Sequence, residues 1–158
     1  MKIIQLLIFT FLVATISSNA QNKALTFKQA ELKGKSYIYL DSLYKSAVNS
    51  NEKMAVFKSE KEQLELQKAY QSLIFDLAEF LKENNFKWEK ITRCFNRIYF
   101  NENGKIEYFL FNFSEGEITN EKEKEFTKLL NIFIKKKKIN ITAKEKFAQC
   151  SPIKYNDL

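Results

Sequence analysis

The segment ITRCFNRIYFNENGKIEYFLFNF, residues 91–113, decides the fold. Its two halves are rich in aromatic and β-branched residues, which favour strands. Between them stand residues 101–104, Asn-Glu-Asn-Gly, and Asn-Gly accepts the positive φ angles of a tight hairpin. The segment therefore predicts two antiparallel strands. In the second strand both alternating sets of side chains are bulky, so we expect both faces of the sheet to be covered.

Amphipathic helices are predicted on both sides of this hairpin. Before it, Ser59 and Glu62 form the Ser-x-x-Glu pattern of a capping box, and apolar residues then recur at steps of three and four. We expect about 25 residues of helix there, with a stop at Asn84-Asn85. After the hairpin, Asn120 is expected to cap a helix that starts with acidic residues and ends with lysines, a polarity that suits the helix dipole.

The order of these elements predicts the fold class. Residues 139–150 alternate imperfectly and predict a last strand that Ser151-Pro152 ends. A strand–helix–strand crossover makes the second and third strands run the same way, opposite to the first. We therefore expect an α+β fold, in which a long amphipathic helix precedes a β-β-α-β unit with a small three-stranded antiparallel sheet of order 2-1-3. Residues 36–158 are expected to form this single domain, and the polar residues 21–35 a flexible arm, with or without a short strand near residues 25–27. The apolar spacing at residues 40, 43, 44 and 47 predicts a short helix over residues 36–48.

Residues 1–20 have the features of a secretory signal peptide. A positive start, Lys2, precedes a nearly unbroken apolar run over residues 3–16, and the small residues Ser18 and Ala20 stand where a signal peptidase reads. We expect cleavage before Gln21 and export to the periplasm or the medium, with no transmembrane span afterwards. The alternative is a retained anchor, for which the apolar run is short compared with a span of about 20 residues.

The two cysteines, Cys94 and Cys150, are expected to form a disulfide bond. An even number of cysteines in an exported protein favours such a bond. In the predicted 2-1-3 sheet, the start of the first strand meets the end of the third. Cys94 lies near that start and Cys150 near that end, so both arguments point to the same pair.

Composition excludes several catalytic classes. Histidine is absent, which excludes Ser-His-Asp and Cys-His catalysis and His-ligated zinc or haem. The three glycines are far apart, so they cannot build a phosphate-binding loop. We expect no metal site and no cofactor. A carboxylate-dependent hydrolase acting on cell-wall polymer remains the alternative, although most acidic residues lie on predicted helix surfaces beside lysines.

The positive charge points away from nucleic acid. The chain has 26 basic and 19 acidic residues, and only Arg93 and Arg97 among the basic residues are arginines. Phosphate and base recognition favours arginine for its planar fork, so no nucleic-acid partner is expected. A second reading of the charge concerns the lysine run near the end of the last predicted helix. That run is either a solvated helix end or a contact with an anionic surface, and comprises Lys135, Lys136, Lys137 and Lys138.

Four further side chains are candidates for ligand or partner contact. Arg93 and Arg97 lie on one face of the first strand, where they can hold a carboxylate or phosphate group or pair with nearby glutamates. Glu107 interrupts an apolar strand, either as a catalytic acid or as a charge that discourages aggregation. Trp88 either stacks against a sugar or packs the helix–strand junction.

The order hairpin, helix, last strand over about residues 91–150 resembles the periplasmic C-terminal domain of TonB-like proteins. The similar features are the turn sequence of residues 100–106, the helix over residues 120–137 and the strand ending at residues 147–150. The resemblance implies a module that binds extended peptides by adding them to a sheet edge as a strand. Because the chain has one proline and no Pro-rich spacer, it does not imply the energy-transducing role.

Together these patterns predict an exported, small, non-enzymatic module that binds a protein, a peptide or a component of the cell envelope. Strand addition to a free sheet edge is the expected mode, and a homodimer built by sheet pairing is an alternative use of the same edge.

Overall fold

The predicted hairpin forms strands β3 (Thr92–Phe100) and β4 (Ile106–Phe113) in the computed structural model, which describes residues 23–157. Its turn requires glycine at residue 104. Gly104 has a φ angle of 79°, and a Cβ atom there would lie 2.5 Å from the carbonyl oxygen of Ile139. The Gly104 oxygen also accepts a hydrogen bond from the Ile139 N–H at 3.0 Å, so the hairpin turn is held against the chain that follows the last helix.

The other elements surround this hairpin. Six precede it, of which the first four are β1 (Lys23–Thr26), α1 (Phe27–Leu32), α2 (Tyr37–Asp41) and β2 (Lys45–Ser46). A short 3-10 helix (Glu52–Met54) and the long helix α3 (Glu60–Glu83) follow β2, and α4 (Asn120–Lys136) and β5 (Phe147–Tyr155) follow the hairpin. The predicted signal peptide, residues 1–20, lies outside the described residues.

The sheet has five strands in the order β1-β4-β3-β5-β2. β3 pairs antiparallel with β4 and β5, whereas β1 pairs parallel with β4 and β2 parallel with β5. The fold is α+β, but the prediction of a three-stranded antiparallel sheet of order 2-1-3 is wrong. Both added strands come from the chain before the long helix, and their four and two residues are too short to show a period-2 pattern.

Residues 23–32 form β1 and α1 rather than a flexible arm, and β1 overlaps the short strand suggested near residues 25–27. Thr26 caps α1 with a capping box, because its hydroxyl oxygen accepts from the Gln29 N–H at 3.1 Å and the Gln29 side chain accepts from the Thr26 N–H at 3.0 Å. The outer edge of β1 is closed by a side chain of α4. Asn131 accepts from the Ala24 N–H at 3.1 Å and donates to the Ala24 carbonyl at 3.3 Å, as a neighbouring strand would.

One face of the sheet packs against α3 and α4, and we call it the α3–α4 face. The two helices run antiparallel, since contacts pair Asp76 with Lys137, Phe80 with Phe133 and Phe86 with Phe126. Each large side chain buried here contributes about 1.5–3 kcal/mol to folding. The buried residues of this core include Leu73, Leu77, Leu81, Phe100, Phe109, Phe111, Phe126, Leu130 and Phe133. Thr119 caps α4 rather than the expected Asn120.

The opposite face is covered only in part, by α1 and α2, and we call it the α1–α2 face. A second small core lies there, made of Leu25, Ala30, Leu40, Tyr44, Tyr99, Leu110 and Ala148. The expectation that both sheet faces are covered is therefore met near Tyr99. The expectation is not met nearer the start of β3, beyond the part of the sheet that α1 and α2 cover.

The last strand differs from its prediction, because β5 starts at Phe147 and continues through Pro152 to Tyr155. The carbonyls of Lys146 and Ala148 point outward to accept from the chain around β2. By alternation, the backbone groups of residues 150, 152 and 154 also point outward. Pro152 is tolerated because its missing N–H would have faced away from β3.

Candidate functional site

The predicted disulfide is wrong, because the two cysteines lie on opposite faces of the sheet. Cys150 stands opposite Arg97 in the β3–β5 register, whereas Cys94 stands opposite Ile153. Both thiols are free, Cys94 buried on the α3–α4 face and Cys150 exposed on the other. The prediction failed because β5 runs five residues beyond Cys150, which places this residue in the middle of the strand rather than at its end.

A polar groove of about 880 Å³ lies on the α1–α2 face beside β2 and β5. Its lining includes Asp41, Tyr44, Lys45, Arg97, Glu145 and Lys146. The side chains come from the end of α2, from β3 and from the chain before β5. The groove is lined by several charged side chains, so we consider first what its charges can do.

Within the groove, Arg97 forms a two-point contact with the carboxylate of Asp41. Its Nε and Nη2 atoms donate to the two carboxylate oxygens of Asp41 at 3.0 and 2.6 Å, and the Tyr99 hydroxyl donates to the same carboxylate at 3.0 Å. Burial alone would lower the pKa of Arg97, but the hydrogen bonds and charge of Asp41 outweigh it and the pKa is raised. Arg97 therefore pairs with an acidic side chain of the same chain, Asp41 of α2, rather than with a nearby glutamate.

Glu107 occupies a similar position in a second cluster. Its carboxylate accepts from the Tyr44 hydroxyl at 2.5 Å and from the Lys146 ammonium at 3.0 Å. Burial and the neighbouring Glu107 carboxylate raise the pKa of Tyr44 well above its ordinary value. Burial and the Asp41 carboxylate do the same for Tyr99. These phenols are therefore neutral hydrogen-bond donors and not bases.

The acidic side chains of the two clusters are both engaged within the chain. Asp41 and Glu107 are each held by a cation and by a tyrosine hydroxyl. Within residues 23–157 no group of three or more acidic or cysteine side chains is placed to hold a metal ion. We interpret the two clusters as clamps that fasten α2 and the β5 approach to the sheet.

An aromatic groove of about 540 Å³ lies on the same face at the other end of β3. Phe27 contacts both Tyr37 and Phe95, with ring centroids 6.1 and 6.0 Å apart. Ile38, exposed to 68%, forms one wall. Phe95 is exposed to 38%, although it belongs to the central strand of the sheet.

The floor of the aromatic groove, Phe95 and Asn112, belongs to a row of residues that crosses the three central strands. In the sheet register, Asn112 of β4 and Pro152 of β5 flank Phe95 of β3, and all three are exposed. Phe27, the first residue of α1, contacts Phe95 from one side, and the rest of the row remains exposed. The aromatic groove therefore joins an uncovered sheet surface to the outer edge of β5.

The remaining predicted contact residues lie apart from both grooves. Arg93 donates to Glu117 at 3.3 Å and is largely exposed. Trp88 is 4% exposed and stacks on Tyr155 at 4.7 Å, so it is a core residue rather than a platform for a sugar. The lysines at the end of α4 are exposed on the far side of the molecule and include Lys135, Lys136, Lys137 and Lys138.

Sequence reasoning missed the side chains that complete both grooves. Asp41 and Tyr44 fell within a predicted short helix over residues 36–48, and nothing local shows that they meet Arg97 and Glu107. Phe27 lay in the expected arm. The sequence does contain a signal for α1, because Thr26 and Gln29 have the spacing of a capping box, which predicts a helix that begins after Thr26.

Comparison with known proteins finds no family model, no curated protein and no solved structure that matches this chain. The resemblance of residues 91–150 to the TonB-like C-terminal domain therefore stays a prediction. None of the helices within residues 23–157 has the length and apolar character needed to cross a bilayer.

Proposed function

We propose that the chain is an exported, non-enzymatic module that binds an extended segment of a protein or peptide partner at the aromatic groove. One observation carries this proposal: Phe95, in the central strand of the sheet, is exposed in an uncovered row between Asn112 and Pro152. Exposed aromatic surface that joins a groove is typical of interaction sites. Export itself rests on the pattern of residues 1–20.

The outer edge of β5 supports strand addition as the mode of binding. The N–H groups of Cys150 and Lys154 point outward, and no strand among the described residues pairs with this part of β5. The other two candidate edges are occupied. Asn131 closes β1 at Ala24, and the chain at Val56 donates to β2. A peptide on the β5 edge would place alternate side chains beside Pro152 and the aromatic groove.

The hydrolase alternative has less support than binding. A glycosidase needs two carboxyl groups free to face the substrate. In the polar groove, Asp41 is engaged by Arg97 and Glu145 by Lys45, and Glu107, which lies outside its lining, is engaged by Lys146.

The binding proposal is tested with a peptide library. We would select peptides on the purified chain from a random library and measure the affinity of an enriched peptide by fluorescence anisotropy. Ile38→Asp places a charge in the groove wall and should weaken binding at least about tenfold. Leu64→Asp is the matched control, because Leu64 is similarly exposed on α3. Equal affinities of the two variants, or equal losses in both, would contradict the proposal.

A second experiment separates strand addition from simple groove binding. Peptides that are N-methylated at alternate backbone positions lose the donors of one strand edge only. Strand addition predicts that one set of methylations abolishes binding while the other is tolerated. Tolerance of both sets would reject the β5 edge and leave the aromatic groove as the whole site.

A further inference from the structure

A lysine-rich surface lies at the end of the sheet remote from the aromatic groove. Residues 135–138, at the end of α4, line one depression of about 310 Å³ together with Lys105 and the hairpin-turn residues Asn101 and Asn103. The backbones of Lys105 and Lys138 form an antiparallel bridge, which fixes the turn against the helix end. We call Lys105 and residues 135–138 the lysine surface.

Positive charge on the lysine surface is largely uncompensated. Lys137 pairs with Asp76 at 2.9 Å. Across residues 23–157, no ion pair involves Lys105 or the three other lysines at the end of α4, all of which are exposed. The carbonyl end of α4 attracts cations but carries only about half a charge, so the surface keeps a strong positive excess.

We propose that the lysine surface docks the protein on an anionic phospholipid bilayer. The surface holds lysines and no arginine, and lysines act as point charges that suit a diffuse layer of lipid headgroups better than a single phosphate.

The docked orientation leaves the aromatic groove free. Phe95 lies in the first half of β3, whereas the turn residue Asn101 follows the end of this strand. At about 3.3 Å per residue they are separated by roughly 20 Å along the strand. The lysine surface and the groove can therefore act at the same time, one on the bilayer and one on a partner.

Vesicle co-sedimentation of the chain from Gln21, the product expected after cleavage of residues 1–20, tests the proposal. The probes are vesicles of phosphatidylcholine alone and vesicles in which about one lipid in three is phosphatidylglycerol. We expect binding only to the anionic vesicles, and its loss when salt is raised from about 0.1 M to about 0.5 M. Equal binding to both vesicle types, or binding that salt does not weaken, would overturn the proposal.

A pair of triple variants then locates the surface. Lys135→Gln/Lys136→Gln/Lys138→Gln should weaken anionic-vesicle binding by more than about tenfold, since each lysine is worth roughly fivefold. The control with the same loss of charge is Lys33→Gln/Lys61→Gln/Lys124→Gln, at exposed positions elsewhere. Its binding should fall much less. An equal fall in both variants, or tighter binding of the wild type to soluble polyphosphate than to vesicles, would overturn the assignment.

Discussion

Asp41 and Arg97 lie 56 positions apart in the chain and are joined by two hydrogen bonds, at 3.0 and 2.6 Å. The pair ties the end of α2 to the middle of the central strand. Tyr99 donates to the same carboxylate and is itself buried in the small core of the α1–α2 face. This contact therefore sets how far α2 covers the sheet, and hence where the uncovered row at Phe95 begins.

Replacing Arg97 should destabilise the fold measurably. Arg97→Met keeps the aliphatic stem but leaves Asp41 without its cation, so we expect a loss of about 1–2 kcal/mol in the free energy of unfolding. Arg93→Met is the control, because Arg93 is 70% exposed in its ion pair and Glu117 keeps the backbone N–H of residue 93. Urea denaturation measures both. Equal costs would show that the Asp41–Arg97 contact does not hold α2.

The thiols should differ sharply in reactivity. Cys150 is exposed, whereas Cys94 is buried and its burial raises the pKa of the thiol to about 12. Ellman's reagent should therefore modify only Cys150 in the native protein, and Cys94 only after denaturant is added. Cys150→Ser should leave no reactive native thiol. Recovery of linked Cys94 and Cys150 peptides from unreduced protein would contradict the placement of the two residues on opposite faces.

Gly104 should be far less tolerant of alanine than Gly116. Both have positive φ angles, 79° and 75°, so alanine carries a backbone cost of roughly 1 kcal/mol at either position. Only at Gly104 would the new Cβ meet backbone oxygens, those of Ile139 and Ile141 at 2.5 and 2.7 Å. We expect Gly104→Ala to cost about 2 kcal/mol more than Gly116→Ala. Thermal unfolding of the two variants measures the difference, and similar values would contradict the packed turn.

Stability should fall as the solution becomes alkaline. Burial raises the pKa of Tyr70 to about 12 from its ordinary 10.0, despite a hydrogen bond with Ser151 that lowers it. Between these values the unfolded chain loses the phenolic proton and the folded chain keeps it. The contribution of Tyr70 is therefore complete below pH 10 and is lost as pH rises through about 12, by up to about 1.4 kcal/mol per pH unit.

The variant Tyr70→Phe isolates this contribution. It should decline less steeply with pH than the wild type in urea denaturation above pH 10, even though it also lacks the hydrogen bond with Ser151. The comparison uses slopes, because the lost hydrogen bond shifts stability at every pH. Identical slopes for the two proteins would show that the phenol is not shielded in the folded state.

Local signals explain which parts of the fold the sequence predicts. The capping box before α3 is present, since the Glu62 carboxylate accepts from the Ser59 N–H at 2.9 Å. The Asn-Gly turn also forms as expected. Both signals act within a few residues, so they need no knowledge of the rest of the chain. The parallel strands β1 and β2 are stabilised by pairing with β4 and β5. These pairings join distant parts of the chain, so no local sequence pattern predicts them.

The same distinction applies to the candidate sites. Arg97 and Glu107 were identified because a charge within an apolar strand is visible in the sequence. Their partners Asp41 and Tyr44 cannot be identified from the sequence, because these contacts span 56 and 63 positions of the chain. The exposure of Phe95 cannot be predicted from the sequence of β3 either. It depends on where α1 and α2 end above the sheet.

Amide chemical-shift mapping by NMR tests the central claim most directly. Isotope-labelled protein would be titrated with the peptide selected from the library. Binding at the aromatic groove predicts shifts at Phe27, Ile38, Phe95 and Asn112, which extend to the β5 edge around Pro152. Shifts confined to the polar groove, around Asp41 and Lys146, would contradict the account and would place the binding surface where we assign only structural clamps.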